Sequence, residues 1–269
     1  MKIATWNVNS IRSRLSHTRD WLSSNPVDVL CLQETKVIDN DFPRSTFEDL
    51  GYNVYTYGQK SYNGVALISN QPLEDVSMGF TPKLSDIYSQ WDEQKRVITG
   101  VINGIRIVNL YVPNGSEIGS EKYEYKLGWF KILKEYLKKF LQESDHICMC
   151  GDFNIALENK DIHEKVSIEN HIMSSQAERE ALTDILNLGF FDAFRKFTDD
   201  SGHYSWWDYR TLAFKRNMGW RIDHHYLTPQ LYTQATSCII DTSPRKLEKP
   251  SDHTPVVVEW SDSEKISAN

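Results

Sequence analysis

No apolar stretch of the sequence is long enough to span a bilayer, which excludes a helical membrane protein. Cysteine is scarce. Cys31, Cys148, Cys150 and Cys238 are the only four among 269 residues, and none forms the Cys-x-x-Cys pair of a zinc knuckle. Three of them lie in apolar, strand-like runs and read as buried, reduced thiols. The opening run Lys-Ile-Ala-Thr-Trp has no apolar signal core, so a cytoplasmic protein is expected. No internal repeat or low-complexity linker interrupts the chain. One domain over residues 1–260 with a frayed tail at 261–269, working as a monomer, is therefore the expectation. An excess of positive charge is missing as well: 30 Lys and Arg face 37 Asp and Glu, for a net charge of −7. That excludes a uniformly basic nucleic-acid binder, but not a segregated one. Arg12, Arg14 and Arg19 cluster near the start, and Arg210, Lys215, Arg216 and Arg221 cluster late.

What is present is a core. Hydrophobic residues make up 40% of the chain, with 8 Trp and 13 Tyr, which favours a packed globule over disorder. Lys2 to Val8 alternates as a strand ending at Asn7, and Val27 to Leu32 is a buried strand ending in Gln33-Glu34-Thr35-Lys36. Between them, Ile11, Leu15, Thr18, Trp21 and Leu22 fall at helical spacing up to Pro26. Tyr52–Tyr57 and Val65–Ser69 read as strands joined through Gly58, Asn63 and Gly64. Asn103-Gly104 between two apolar runs predicts a hairpin, whose second strand leads into Tyr111-Val-Pro-Asn-Gly115. Residues 121–143 form a helix with Leu127, Phe130, Leu133, Leu137 and Phe140 as its stripe and its lysines on a solvated face. Residues 156–174 read as a long loop, in which Asp161, His163, Glu164 and His171 fit no compact ligand spacing. Ser175-x-x-Glu178 is a capping box for a helix with Ala177, Ala181, Leu182, Ile185 and Leu188 inside, closed by Gly189.

The chain is organised around Ile147-Cys-Met-Cys-Gly-Asp-Phe-Asn154. A buried strand breaks at Gly151, and Asp152 and Asn154 then alternate toward one point. An acid that can take a proton or a cation, beside an amide that can donate to an oxygen, suits metal-assisted chemistry on an oxyanion. Residues 203–221 interleave Trp206, Trp207, Tyr209 and Trp220 with Arg210, Lys215 and Arg216, a pattern suited to stacking beside phosphates. A strand from Ile222-Asp223 to Leu227 follows, and Ser251-Asp-His253 precedes a last strand at Pro255–Trp260.

Seven blocks now stand in order: Trp6-Asn-Val-Asn9, Leu32-Gln-Glu-Thr-Lys36, Tyr62-Asn-Gly-Val65, Tyr111-Val-Pro-Asn-Gly115, Gly151-Asp-Phe-Asn154, Gly219-Trp-Arg-Ile-Asp223 and Ser251-Asp-His253. Together they resemble exonuclease III, the bacterial DNA-repair nucleases related to apurinic/apyrimidinic endonucleases. The resemblance implies a four-layered α/β sandwich, with two mixed sheets face to face and helices outside. It implies hydrolysis of phosphodiester bonds in double-stranded DNA, at abasic sites and 3′ ends, with Mg²⁺ or Mn²⁺.

Residue by residue, the resemblance implies Glu34 as the main metal ligand, Asp252 as a second or water-mediated one, and Asn7, Asp152 and Asn154 within reach. Asp152 becomes the general base, His253 paired with Asp223 binds a phosphate oxygen, and Tyr111 donates its hydroxyl or ionises near the metal. Lys36 is either a partner of these acids or a surface lysine. Trp206, Trp220 and Ile222 line the abasic-sugar pocket, while Tyr62, Asn114, Arg210, Lys215 and Arg216 contact the backbone. Asn9 departs from an acid found in some relatives. Two rivals remain: a phosphatase or lipid phosphodiesterase of the same superfamily, which block 203–221 disfavours, and a non-catalytic DNA-binding module, in which some of these polar residues would be lost.

Overall fold

The computed structural model describes residues 1–164 and 171–261; the tail expected at the C-terminus lies, from residue 262 on, outside the described residues. In chain order the elements are β1 (Lys2–Asn7), α1 (Leu15–Ser24), β2 (Val29–Gln33), α2 (Arg44–Glu48), β3 (Asn53–Tyr57), β4 (Val65–Ser69), β5 (Glu74–Met78), β6 (Val97–Ile102) and β7 (Ile105–Tyr111). Then come α3 (Glu121–Leu141), β8 (Ile147–Asp152), α4 (Gln176–Leu186), β9 (Phe191–Asp192), β10 (Asp223–Leu227), α5 (Pro229–Gln234), β11 (Ala235–Ile240) and β12 (Val256–Trp260). They build two six-stranded sheets, ordered β11-β12-β1-β2-β4-β3 and β5-β6-β7-β8-β10-β9.

Alternation along the central strands sorts side chains into three apolar layers. In β2, Val29 and Cys31 face the opposite sheet, while Leu30 and Leu32 pack with Trp21, Leu22 and Phe47 of α1 and α2. In β8, Cys148 and Cys150 face between the sheets, while Met149 packs with Trp129, Phe130 and Leu182 of α3 and α4. The order is thus helices, sheet, sheet, helices, the four-layered sandwich expected. All four cysteines are buried and unpaired.

The Asn103-Gly104 hairpin forms, both residues at positive φ, so that the two-residue turn follows the twist of β6 and β7. Two expectations about helices need correction. Lys126 does not lie on a solvated face of α3; it is wholly buried, one turn before Phe130 on the apolar stripe. In α4, Ala177 is exposed and Glu178 takes the inward place.

Candidate active site

Register brings the site together. In the first sheet β1 and β2 run parallel, with Asn7 opposite Gln33, so both strands end level and deliver Asn7 and Glu34. In the second sheet β7 and β8 run parallel with Tyr111 opposite Asp152, and antiparallel β10 sets Asp223 opposite Asp152. Gly151 makes that close approach possible. Its φ is +141°, and a Cβ there would lie 1.9 Å from the Leu110 carbonyl oxygen. Below the site the sheets are tied by polar groups: Gln33 donates to Thr5 Oγ1 (2.8 Å) and Asn109 Oδ1 (2.7 Å), and Asn109 donates to the Leu32 and Ala66 carbonyls.

Asp152 is the hub. Asn7 Nδ2 donates to its Oδ2 at 2.8 Å and to Glu34 Oε1 at 3.0 Å, joining acids from the two sheets. Asn154, at φ +49°, gives Asp152 its backbone N–H (2.9 Å) and its side-chain N–H (3.3 Å). His253 Nε2 lies 3.7 Å from Asp152 Oδ2, and His253 Nδ1 lies 2.8 Å from Asp223 Oδ2. Asp223 Oδ2 also accepts from Ser205 Oγ at 2.6 Å, while its Oδ1 is buried with no protein partner. Burial pushes the Asp152 carboxyl up to about 7, against the lowering effect of His253. Burial alone would lower the His253 pKa, but Asp223 and Asp152 overcome it and raise it to about 10. His253 is thus an imidazolium that donates from Nδ1 to Asp223 and faces Asp152 with Nε2.

Glu34, at φ +52°, accepts from Tyr111 Oη (2.7 Å) and pairs with Lys36 Nζ (2.8 Å). Burial raises its pKa, but Lys36 more than offsets this and leaves it below the ordinary value. Lys36 is therefore a partner of the acids. Burial and the Glu34 charge hold the Tyr111 phenol well above its usual pKa, in keeping with its hydroxyl being the donor to Glu34. Its ring carries the buried Arg96 guanidinium at 4.5 Å. Asp252 does not meet Glu34 directly. It accepts from Asn9 Nδ2 and Trp206 Nε1, both at 3.0 Å, and Asn9 Oδ1 in turn takes Lys36 Nζ.

The donor set suits a hard divalent cation on the Glu34 side, where all candidate ligand atoms are oxygens. Asp152, Asp223 and His253 also lie within ligand distance of one another. Because His253 is protonated there, we assign that trio to proton and charge handling. Asn7 and Asn154 turn amide N–H groups, not oxygens, toward the acids: Asn7 Oδ1 takes the Asn9 amide, and Asn154 Oδ1 takes Asn114 Nδ2. They order the carboxylates and are not placed as ligands.

Beside this centre, Trp220 and Ile222 pack in an apolar cluster with Ala156, Ile162 and Met173, with the half-buried Trp206 at its edge. His171, to which no role was assigned from its spacing, lies 4.9 Å from the Trp220 ring. Arg210, Lys215 and Arg216 are exposed on the flanking segment, whereas Arg221 is buried and paired with Asp161 (2.7 Å) and Asp192 (2.8 Å). Arg221 is removed from the basic cluster for that reason. Asp161 is a structural counter-ion, also paired with Arg195. Tyr62 and Asn114 line one depression with Gln59, Gln94, Arg96 and Lys122. The sequence had no signal for Arg96, Ser205 or Met173. From the sequence, Lys126 reads as solvated and Glu178 only as a capping residue, although Lys126 falls four residues before Phe130, at the spacing of the stripe.

Paired sheets ending in one cluster of acids, amides and an imidazolium define an enzyme that hydrolyses phosphodiester bonds, with the character of a nuclease. The chain belongs to the Endonuclease/Exonuclease/phosphatase family, whose model matches residues 4–253. It is 32% identical to exodeoxyribonuclease III of Haemophilus influenzae over 97% of this chain and all of that one. Its fold is similar to that of the 3′ phosphatase NExo from Neisseria, solved bound to product DNA hairpin (TM-score 0.92, 36% identity, 97% of this chain and 99% of that one). An AP endonuclease from Archaeoglobus fulgidus is similar at TM-score 0.90 and 42% identity, again over 97% and 99%. Among the described residues no helix is long and apolar enough to cross a membrane.

Proposed function

We propose that this protein is a Mg²⁺-dependent DNA-repair nuclease that incises 5′ to abasic sites and removes nucleotides or blocking groups from 3′ ends. The observation that carries this reading is Asp152, a buried carboxylate held by Asn7 and Asn154, facing an imidazolium and flanked by the apolar cluster of Trp220 and Ile222. The DNA hairpin in the Neisseria relative and the AP endonuclease from Archaeoglobus support DNA as the substrate.

In this reading Glu34 would hold the cation, with Asp252 as a more distant second acid, and Asp152 is left for the proton. When bound, Mg²⁺ supplies positive charge to the phosphoryl oxygens and the leaving alkoxide. Asp152, with a pKa near neutrality, takes the proton of the attacking water. His253 holds a non-bridging oxygen as negative charge grows, and Tyr111 orients Glu34. Trp220 and Ile222, with Trp206 beside them, would form the apolar face that takes a sugar that has lost its base. The exposed Arg210, Lys215 and Arg216 steer the backbone.

The test is a labelled duplex with one abasic site, incubated with the protein with and without chelator. Cleavage 5′ to the lesion that chelator abolishes and Mg²⁺ restores is expected, and Glu34→Gln should raise the Mg²⁺ concentration required. Undiminished cleavage in excess chelator refutes the metal assignment; a preference for phosphoinositide over DNA refutes the substrate.

A further inference from the structure

Behind the site lies an ion pair that the chemistry above does not use. Lys126 of α3 and Glu178 of α4 are wholly inaccessible, 2.5 Å apart. Every hydrogen of the ammonium is committed: Lys126 Nζ donates to Glu178 Oε1, to the Asn154 carbonyl (2.7 Å) and to the Asn114 carbonyl (3.1 Å). Glu178 is as fully engaged, accepting from the Met173 amide (3.1 Å), the Ser175 amide (3.1 Å) and Ser175 Oγ (2.7 Å). Stripping two charges of water is expensive, and apolar residues of similar size commonly pack two helices as well. What an apolar pair cannot supply is the direction of these bonds.

The two ends of the pair lead to different halves of the site. From Lys126 the bonds reach Asn114 and Asn154. These side chains bond to each other at 3.0 Å, and Asn154 grips Asp152 through its backbone and side-chain N–H. From Glu178 the bonds reach Met173, held at φ +70°, which packs in the apolar cluster with Trp220 and whose carbonyl accepts from the Ala156 amide at 2.8 Å.

We infer that Lys126 and Glu178 are positioning residues, the ammonium fixing the amide–carboxylate geometry around Asp152 and the carboxylate fixing the apolar cluster that carries Trp220. The inference rests on the proposed function and adds a division of labour to it. Two double variants separate the halves. Lys126→Met with Glu178→Gln removes the ammonium but keeps an oxygen for the Met173 amide. Its single-turnover rate on the abasic duplex should fall by on the order of 10²-fold, as for small misplacements of reacting groups, while the preference for abasic over intact DNA stays. Lys126→Met with Glu178→Leu removes both anchors, and rate and preference should fall together. Both variants have apolar or neutral replacements on both sides, so no buried charge is left unpaired.

Wild-type rate and preference in both variants overturn the inference; so does loss of both properties in both variants in step with a lowered Tm. If the unmodified protein does not cleave the abasic duplex, the functional reading fails, and the side-chain amide resonances of Asn114 and Asn154 decide the inference alone. They should move in the double variant carrying Lys126→Met and Glu178→Gln, while the Met173 backbone amide does not; unmoved asparagine signals overturn it.

Discussion

Replacing Asp223 by Asn is the sharpest test of the electrostatics. The carboxamide keeps the shape and can still accept from His253 Nδ1, now 2.8 Å from Asp223 Oδ2, so only the charge is lost. His253 is buried, which by itself favours the neutral ring, yet Asp223 and Asp152 raise its pKa from 6.5 to about 10. A difference of that size corresponds to about 5 kcal/mol in favour of the imidazolium. The sign follows from a raised folded-state value: the stabilisation is complete below the unfolded value near 6.5 and is lost as pH rises through about 10. Removing one adjacent charge is worth about 1–3 units. In Asp223→Asn the imidazole should therefore titrate lower by that amount, and the fold should lose about 1–4 kcal/mol at neutral pH. An NMR titration of the His253 ring in chelator measures the shift without metal competing for Asp152. Single-turnover rates on the abasic duplex against pH should show the alkaline limb moving down by the same interval. A ring that already titrates near 6.5 in the unmodified protein refutes the argument, and so does an alkaline limb that the substitution leaves in place.

Three other outcomes are expected. Burial raises the Asp161 carboxyl, but Arg221 and Arg195 outweigh it and hold it down at about 2. Its contribution, about 2 kcal/mol, is present above about pH 4 and lost as pH falls toward about 2, so Asp161→Asn should flatten the acid limb of stability in a denaturant series run at several pH values. Gly151→Ala should disrupt the β7–β8 contact, since its Cβ would sit 1.9 Å from the Leu110 oxygen; thermal melting should show a loss of about 2 kcal/mol or more, on the order of other strained overpackings, with cleavage lost alongside. Trp220→Ala should reduce the preference for abasic over intact duplex by about 1–3 kcal/mol in competitive binding while cleavage of bound strand persists; an unchanged preference puts the abasic-sugar contact elsewhere.

Much of this architecture could be read from the chain because its signals are local. Asn7, Glu34, Asp152 and Asp223 each interrupt an apolar run at its end, and parallel register then levels those ends across neighbouring strands. The Asn103-Gly104 turn announces its hairpin for the same reason. What escaped is either short or long-range. β5 and β9 are edge strands with exposed or half-exposed residues, so alternation has little to report. β11 is hard to recognise because its outward face carries Ile239, which is exposed where the pattern calls for a polar group. Lys126 meets Glu178 across 52 residues, and Arg221 meets Asp161 across 60, separations over which composition carries no pairing information. For Lys126 a clue was available, a charge four residues before Phe130 at the spacing of an apolar stripe, which is either an error of patterning or a paired group; Arg221 carried none.

That clue changes how the net charge should be understood. Among the described residues the buried cations are Arg96, Arg106, Lys126, Arg221, Arg245 and the His253 imidazolium, and the buried acids are Asp152, Asp161, Glu178 and Asp223. Inside, cations outnumber acids, so the acidic surplus belongs to the rest of the chain. A polyanion approaching such a surface is repelled over most of it and drawn to the places where cations remain exposed. The segment with Arg210, Lys215 and Arg216 is such a place. It is tied to the site at its start, where the Trp207 amide donates to the Asp252 carbonyl and Trp206 Nε1 to the Asp252 side chain. On the proposed function, an acidic protein with a local basic flank would orient a nucleic-acid strand by contrast, presenting the phosphate to His253 beside the Trp220 cluster. A uniformly basic surface would hold the same strand in many registers, most of them away from Asp152.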